Sequence, residues 1–197
     1  LQLTLDFTGP LQWIEAYNRD RPVTQRLLPA ALLVRAIALA ASRHAGFNGY
    51  YGPRGYEPGA AVHVRMAIAL RGGGLVAPAI LKAQDKPLAV VMQELQDLVT
   101  RARAGHLRAA ELASPTITLT SLGEEGVDVL MPVIHPPQVA IIGAGSVSDR
   151  PWVVEGRVEP RKVMALSLAA DHRVSDGRRG AQFLAAIGGL LAKPEAL

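Results

Sequence analysis

The segment Asp171-His172-Arg173-Val174-Ser175-Asp176-Gly177 sets an imidazole among two carboxylates. A histidine that titrates near neutrality can take a proton from a nucleophile and return it to a leaving group. Asp176, four residues on, is a candidate partner that fixes the loop or the ring. A second reading makes Asp176 a helix N-cap and leaves His172 solvated. Spacing alone keeps both open. Thr118, Thr120 and Ser121 offer hydroxyls. A hydroxyl on a rigid strand can donate to the oxygen that turns negative in a tetrahedral intermediate, as acyl transfer requires. Strand propensity also favours threonine without any chemistry.

These groups need elements to hold them. Val163 to Ala169 reads as an apolar strand, and Asp176 to Leu191 as a helix with Phe183, Leu184, Ile187 and Leu191 on one stripe. His172 thus falls between a strand end and a helix start. Thr116 to Thr120 alternates strictly, so its threonines share one face and Ile117 and Leu119 the other. Gly123 ends that strand. Leu1 to Phe7 alternates as a strand. Helices are expected at Leu11 to Asn18, Pro29 to His44 and Pro87 to Ala104. The glycines and prolines from Gly49 to Gly59 mark a loop. Val62 to Leu70 and Leu75 to Ile80 read as a hairpin through Arg71-Gly72-Gly73-Gly74, and Gln138 to Ile142 as a further strand. The order is α/β (α+β), a mixed sheet flanked by helices in one domain spanning residues 1–197.

Composition narrows the chemistry. The 197 residues are 49% hydrophobic and 19% charged, enough to enclose a core. No cysteine is present, so any thiol chemistry uses thiols from outside the chain. The net charge of +4 suits an anionic cofactor, but scattered arginines and few aromatics argue against nucleic acid. The histidines lack metal-ligand spacing, so no metal is expected. Gly143-Ala144-Gly145 fails as a dinucleotide loop, and no G-x-S-x-G elbow occurs. Leu27 to Ala41 is broken by Pro29 and Arg35 and is read as a buried helix rather than a membrane span. Leu1 to Asp6 shows no leader pattern, and the expectation is a cytoplasmic chain that begins inside a longer protein.

Five blocks carry a resemblance. Asp171-His172-Arg173-Val174-Ser175-Asp176-Gly177 resembles the D-H-R-x-x-D-G signature of dihydrolipoamide acyltransferase catalytic domains. Thr118-Leu119-Thr120-Ser121-Leu122-Gly123 resembles that family's T-I-S-N-L-G, and His135-Pro136-Pro137-Gln138-Val139-Ala140-Ile141 its N-P-P-Q-A-A-I. Gly74-Leu75-Val76-Ala77-Pro78 and Arg103-Ala104-Gly105-His106-Leu107 resemble G-L-V-V-P and A-R-x-G-K-L. All five fall in the family's order and spacing, and the similarity covers nearly the whole chain.

The resemblance implies a chloramphenicol-acetyltransferase-like fold and a homotrimer, extendable to a cage, with His172 and Thr120 meeting from neighbouring chains. It implies His172 as general base toward the thiol of coenzyme A or dihydrolipoamide, Thr120 at the oxyanion and Asp176 supporting the His172 loop. The lipoyl group would ride on a separate domain. The partners implied are the decarboxylase and dihydrolipoamide dehydrogenase components of a 2-oxo acid dehydrogenase complex. Thr120 replaces the family's serine, His135 its asparagine and Arg65 a common glycine. A family helix before Leu1, a lipoyl domain and a subunit-binding domain have no counterpart in these residues. Two rival expectations are a non-catalytic core and a coenzyme A-dependent acetyltransferase of another acceptor.

Overall fold

A computed structural model describes residues 1–70, 73–122 and 125–197. The expected end of a strand at Gly123, and Arg71 and Gly72 of the expected turn, lie outside the described residues.

The chain opens with strand β1, Gln2–Asp6, and helix α1, Thr8–Asn18. The helix starts three residues before the expected Leu11. The Asp6 carboxylate accepts the Thr8 amide at 2.8 Å, and the Phe7 amide is tied to the Lys162 carbonyl at 2.7 Å, so the chain turns there. Helix α2, Pro29–Arg43, has proline in its first turn, where the missing N–H leaves nothing unsatisfied. Val23–Arg43 is 21 residues long and apolar enough by composition to cross a membrane. In the fold, Ala31, Leu32, Val34, Ala36 and Ile37 of α2 are fully enclosed in the core, as expected for a buried helix.

Residues 49–58 form a hairpin where a loop was expected: β2, Gly49–Gly52, pairs with β3, Gly55–Pro58. Glycine density hides strands this short. Gly49, at φ +147, passes so close to the Glu57 carbonyl that a Cβ would have no room. The next expected hairpin exists in two pieces. Strands β4, Val64–Met66, and β7, Ala79–Ile80, pair in the main sheet, while β5, Ile68–Ala69, and β6, Leu75–Val76, pair separately. Helix α3, Leu88–Arg103, is followed by Gly105 at φ +75. The short α4, Ala109–Ala113, was not foreseen.

Strand β8, Ile117–Ser121, runs parallel to both β4 and β9, Ala140–Ala144. Strand β10, Ser148–Val154, turns through Glu155 and Gly156, both at positive φ, into the 14-residue β11, Arg157–Ala170. Two positive φ values in a two-residue loop match the right-handed twist of a hairpin. Helix α5, Gly177–Leu191, closes the fold. The main sheet runs β1-β11-β9-β8-β4-β7, with β10 on β11. The mixed sheet and flanking helices are the α/β arrangement expected.

Alternation divides the sheet into two faces. Ile117, Leu119, Ile142, Leu166 and Leu168 join the core with α2, α3 and α5. Thr116, Thr118, Thr120, Gly143 and Ser167 fall on the other face, with Arg65 level with Thr118. Part of this second face lies under the segment after Gly126. There the Ser167 hydroxyl donates to the Leu130 carbonyl, and a side chain at Gly143 would strike Leu130 and Pro132.

Candidate active site

Thr116, Thr118 and Thr120 share a face but not a state. The Thr116 hydroxyl bonds the Asn48 side chain and accepts the His63 amide at 2.9 Å. The Thr118 hydroxyl donates to Gln138 Oε1 at 2.5 Å, and Gln138 donates to the Pro115 carbonyl at 2.8 Å. Both hydroxyls are consumed in fixing the buried strand. Thr120 is half-buried, and its hydroxyl has no hydrogen-bond partner among the described residues. It is the threonine of this strand whose donor remains available to a substrate oxygen.

His172 sits two residues past β11, exposed at the surface. Its neighbours hold the loop. The Asp171 amide donates to the Val139 carbonyl at 2.8 Å, so the backbone stays pinned to the sheet one step beyond the strand. The Asp171 carbonyl accepts the amides of Val174 and Ser175 at 3.0 and 3.1 Å. The Asp171 carboxylate takes the Arg173 guanidinium in a forked pair, at 2.9 and 2.6 Å. That pairing holds the Asp171 carboxyl below the usual carboxylate range, with the Arg173 amide and charge adding to it. His172 is therefore bracketed by two side chains that grip each other.

Asp176 is the N-cap of α5, accepting the Arg179 amide at 2.8 Å. This amide pulls the Asp176 carboxyl below its usual range, helped by the charge of Arg179, the Arg178 amide and the charge of His172. The structure shows Asp176 as a cap, and among the described residues it makes no hydrogen bond or ion pair to His172.

One copy of the chain does not bring His172 and Thr120 to a single site. Thr120 is in register with Gly143, and Gly143 with Ser167. Asp171, the last residue tied to the sheet before His172, lies four residues past Ser167 and two strands from Thr120. At ordinary rise and strand spacing the two backbones are about 15 Å apart. Thr118, Gln138 and Ile141, all buried, fill the face between them. Each residue is instead presented outward at its own end of the sheet.

Sequence reasoning missed two groups that bear on the site. Gln138 fixes the strand below Thr120, and the Tyr51 ring lies 3.7 Å beneath the Arg173 guanidinium. Tyr51 is 122 positions from Arg173, and no local pattern joins them. An apolar cavity of about 530 Å³, lined by Leu33, Met66, Leu119, Ser121 and Met164 among others, lies on the core side and includes neither Thr120 nor His172.

Residues 1–197 match the family described as 2-oxoacid dehydrogenases acyltransferase (catalytic domain). The lipoamide acyltransferase component of the branched-chain alpha-keto acid dehydrogenase complex of Pseudomonas aeruginosa is 39% identical over 173 residues, covering 87% of this chain and 40% of that protein. The chain therefore spans less than half the length of the curated relatives it matches. The cubic core of a pyruvate dehydrogenase multienzyme complex superposes with a TM-score of 0.90 at 30% identity, covering 100% of this chain and 82% of that one. The Azotobacter vinelandii dihydrolipoamide acetyltransferase superposes with a TM-score of 0.90 at 29% identity over the same shares. That enzyme was investigated for the catalytic roles of a serine, a histidine 52 residues later and an asparagine four beyond it, the spacing here of Thr120, His172 and Asp176. Chloramphenicol acetyltransferase, at 14% identity and a TM-score of 0.67 over 97% of this chain and 86% of that one, shares the fold.

Proposed function

The chain belongs to the 2-oxoacid dehydrogenase acyltransferase family, over its catalytic domain, and on that footing we propose that it moves an acyl group between dihydrolipoamide and coenzyme A. The observation that carries the proposal is the pair of outward-facing groups, His172 and Thr120, at the spacing of the Azotobacter histidine and serine.

His172 takes the proton of the attacking thiol. The thiolate adds to the thioester carbonyl, and the Thr120 hydroxyl donates to the oxygen as it becomes negative. The tetrahedral intermediate collapses, the carbon–sulfur bond to the departing thiol breaks, and protonated His172 returns the proton to that sulfur. No acyl-enzyme is needed, which suits a chain without cysteine. Asp176 holds the start of α5 and places a negative charge toward His172 as it becomes cationic.

Because a single copy separates the two groups, the site forms between copies: Thr120 from one and His172 from the next. A cyclic trimer closes such a head-to-tail contact. The trimer in turn serves as the core of a 2-oxo acid dehydrogenase complex with its decarboxylase and dihydrolipoamide dehydrogenase components, and the likeness to a cubic core supports that reading. The lipoyl group arrives on a separate domain.

The test is acyl transfer from acetyl-, isobutyryl- and succinyl-coenzyme A to free dihydrolipoamide. His172→Ala is expected to lower the best rate at least about a hundredfold, and Thr120→Ala about 10²–10³-fold. An undiminished rate in His172→Ala overturns the mechanism. Intact trimers without any transfer point to a structural core.

A further inference from the structure

Arg65 is charged, central and unaccounted for. It lies in β4, opposite Ala79 on one side and Thr118 on the other. Its Nε is shut away from solvent and has no hydrogen-bond partner, and its guanidinium forms no ion pair among the described residues. The titratable group it faces is Tyr50, whose phenol is itself pushed up by burial and supplies no charge near neutral pH. Arg65 is half-buried, with its Nε enclosed while the rest of the residue reaches solvent, and a guanidinium held partly out of water with no anion beside it is poised to take one.

Its place in the sheet says which anion. Thr118 is the residue opposite Arg65, and Thr120 is the next residue of β8 on the same face. One strand spacing and two residues separate the two backbones, about 8 Å, a span that an arginine side chain largely covers. A thioester whose carbonyl oxygen is held by Thr120 therefore has its acyl chain within reach of this guanidinium. The phosphates of coenzyme A are a full pantetheine arm away from the same carbonyl. An acyl chain ending in methyl groups would leave the cation unpaired; one ending in a carboxylate would complete it through two parallel N–H···O bonds.

We infer that Arg65 is a specificity-determining residue that selects acyl groups ending in a carboxylate, the half-thioesters of dicarboxylic acids. The inference rests on the acyl-transfer reading for its carbonyl position. It makes Arg65 a selector of the acyl group.

The experiment compares succinyl-coenzyme A with butyryl-coenzyme A, which differ in the terminal group, on the wild type, Arg65→Met and Arg65→Lys. Both kcat/KM toward dihydrolipoamide and calorimetric binding are measured, with the assembly state checked in parallel. The wild type is expected to favour succinyl. Arg65→Met should collapse the succinyl-to-butyryl ratio about a hundredfold, and Arg65→Lys should recover part of it. A wild type that binds the two thioesters equally overturns the assignment, whether or not it turns them over. So does a ratio unmoved in Arg65→Met, or loss of the assembly in that variant with the ratio intact, which would make Arg65 an intersubunit contact. Succinyl preference in binding, lost in Arg65→Met, upholds the assignment even where neither thioester is turned over, and that result sinks the transfer reading alone.

Discussion

The Arg173 guanidinium lies 3.7 Å from the centroid of the Tyr51 ring while its nitrogens hold Asp171. The His172 loop is thereby fastened to the β2–β3 hairpin as well as to the sheet. A cation over an aromatic face is attracted to the ring and not to the phenol oxygen.

Tyr51→Phe should therefore keep the wild-type kcat, and Tyr51→Ala should lower kcat several-fold with little change in KM for coenzyme A. Steady-state kinetics on thermally matched samples decides this. Equal kcat in all three proteins would remove Tyr51 from the positioning of His172.

The separation of Thr120 from His172 within a copy predicts complementation. Thr120→Ala and His172→Ala should each be inactive. Denatured together in equal amounts and refolded, they should regain about a quarter of wild-type activity, the share of head-to-tail sites that pair an intact threonine with an intact histidine. Assaying the mixture before and after co-refolding gives the answer. Failure to recover any activity places the site within one copy.

Asp176 caps α5 and in the proposed mechanism also supports His172, and substitution can separate the two. Asparagine caps helices as well as aspartate does, whereas alanine does not. Asp176→Asn should melt near the wild type but transfer more slowly, because the charge facing His172 is gone. Asp176→Ala should lose both rate and several degrees of melting temperature. Calorimetry and kinetics on the same preparations check the split. The capping cluster also has a pH direction. The Asp176 carboxyl is lowered in the folded state, so its contribution is present above the ordinary carboxylate range and fades as pH falls through the lowered value.

Glu111 is buried and paired with Arg101, at 2.7 Å on each oxygen. The Arg101 hydrogen bond is the main force holding its carboxyl below the usual range. Glu111→Gln should cost about 2 kcal/mol at neutral pH. The folded value is the depressed one, so the difference from wild type should persist above about pH 4 and narrow on further acidification. Urea titrations at several pH values read it directly. A deficit independent of pH would assign the loss to packing.

Local pattern carried much of the fold. The alternation of Thr116 to Thr120 gave β8 and its two faces, and the stripes of α3 and α5 gave their buried sides, because burial of one face imposes a period that survives in the residues themselves. The β10–β11 hairpin escaped notice. Pro151 and Pro160 stand opposite each other in it, and proline suppresses a strand signal while remaining compatible with an outlying pair. The β2–β3 hairpin escaped because four of its eight strand residues are glycine or proline.

The candidate reactive groups were legible in a different way. Spacing left His172, Thr120 and Asp176 open between chemical and structural readings, and it was the resemblance of their motifs to dihydrolipoamide acyltransferase catalytic domains that implied their roles. The resemblance also implied that His172 and Thr120 meet from neighbouring chains; what the residues themselves could not show was the register that separates them within one copy. That Thr116 and Thr118 are spent on Asn48 and Gln138 while Thr120 is not, that Arg65 faces Thr118 without a counter-charge, and that Thr120 and His172 end up at opposite ends of the sheet all follow from register between strands far apart in the chain. Register is set by the packing of whole faces against one another, and a shift of one residue would turn every side chain over. The residue types fixed which chemistry was available; the pairing of β4, β8, β9 and β11 decided where each group could act.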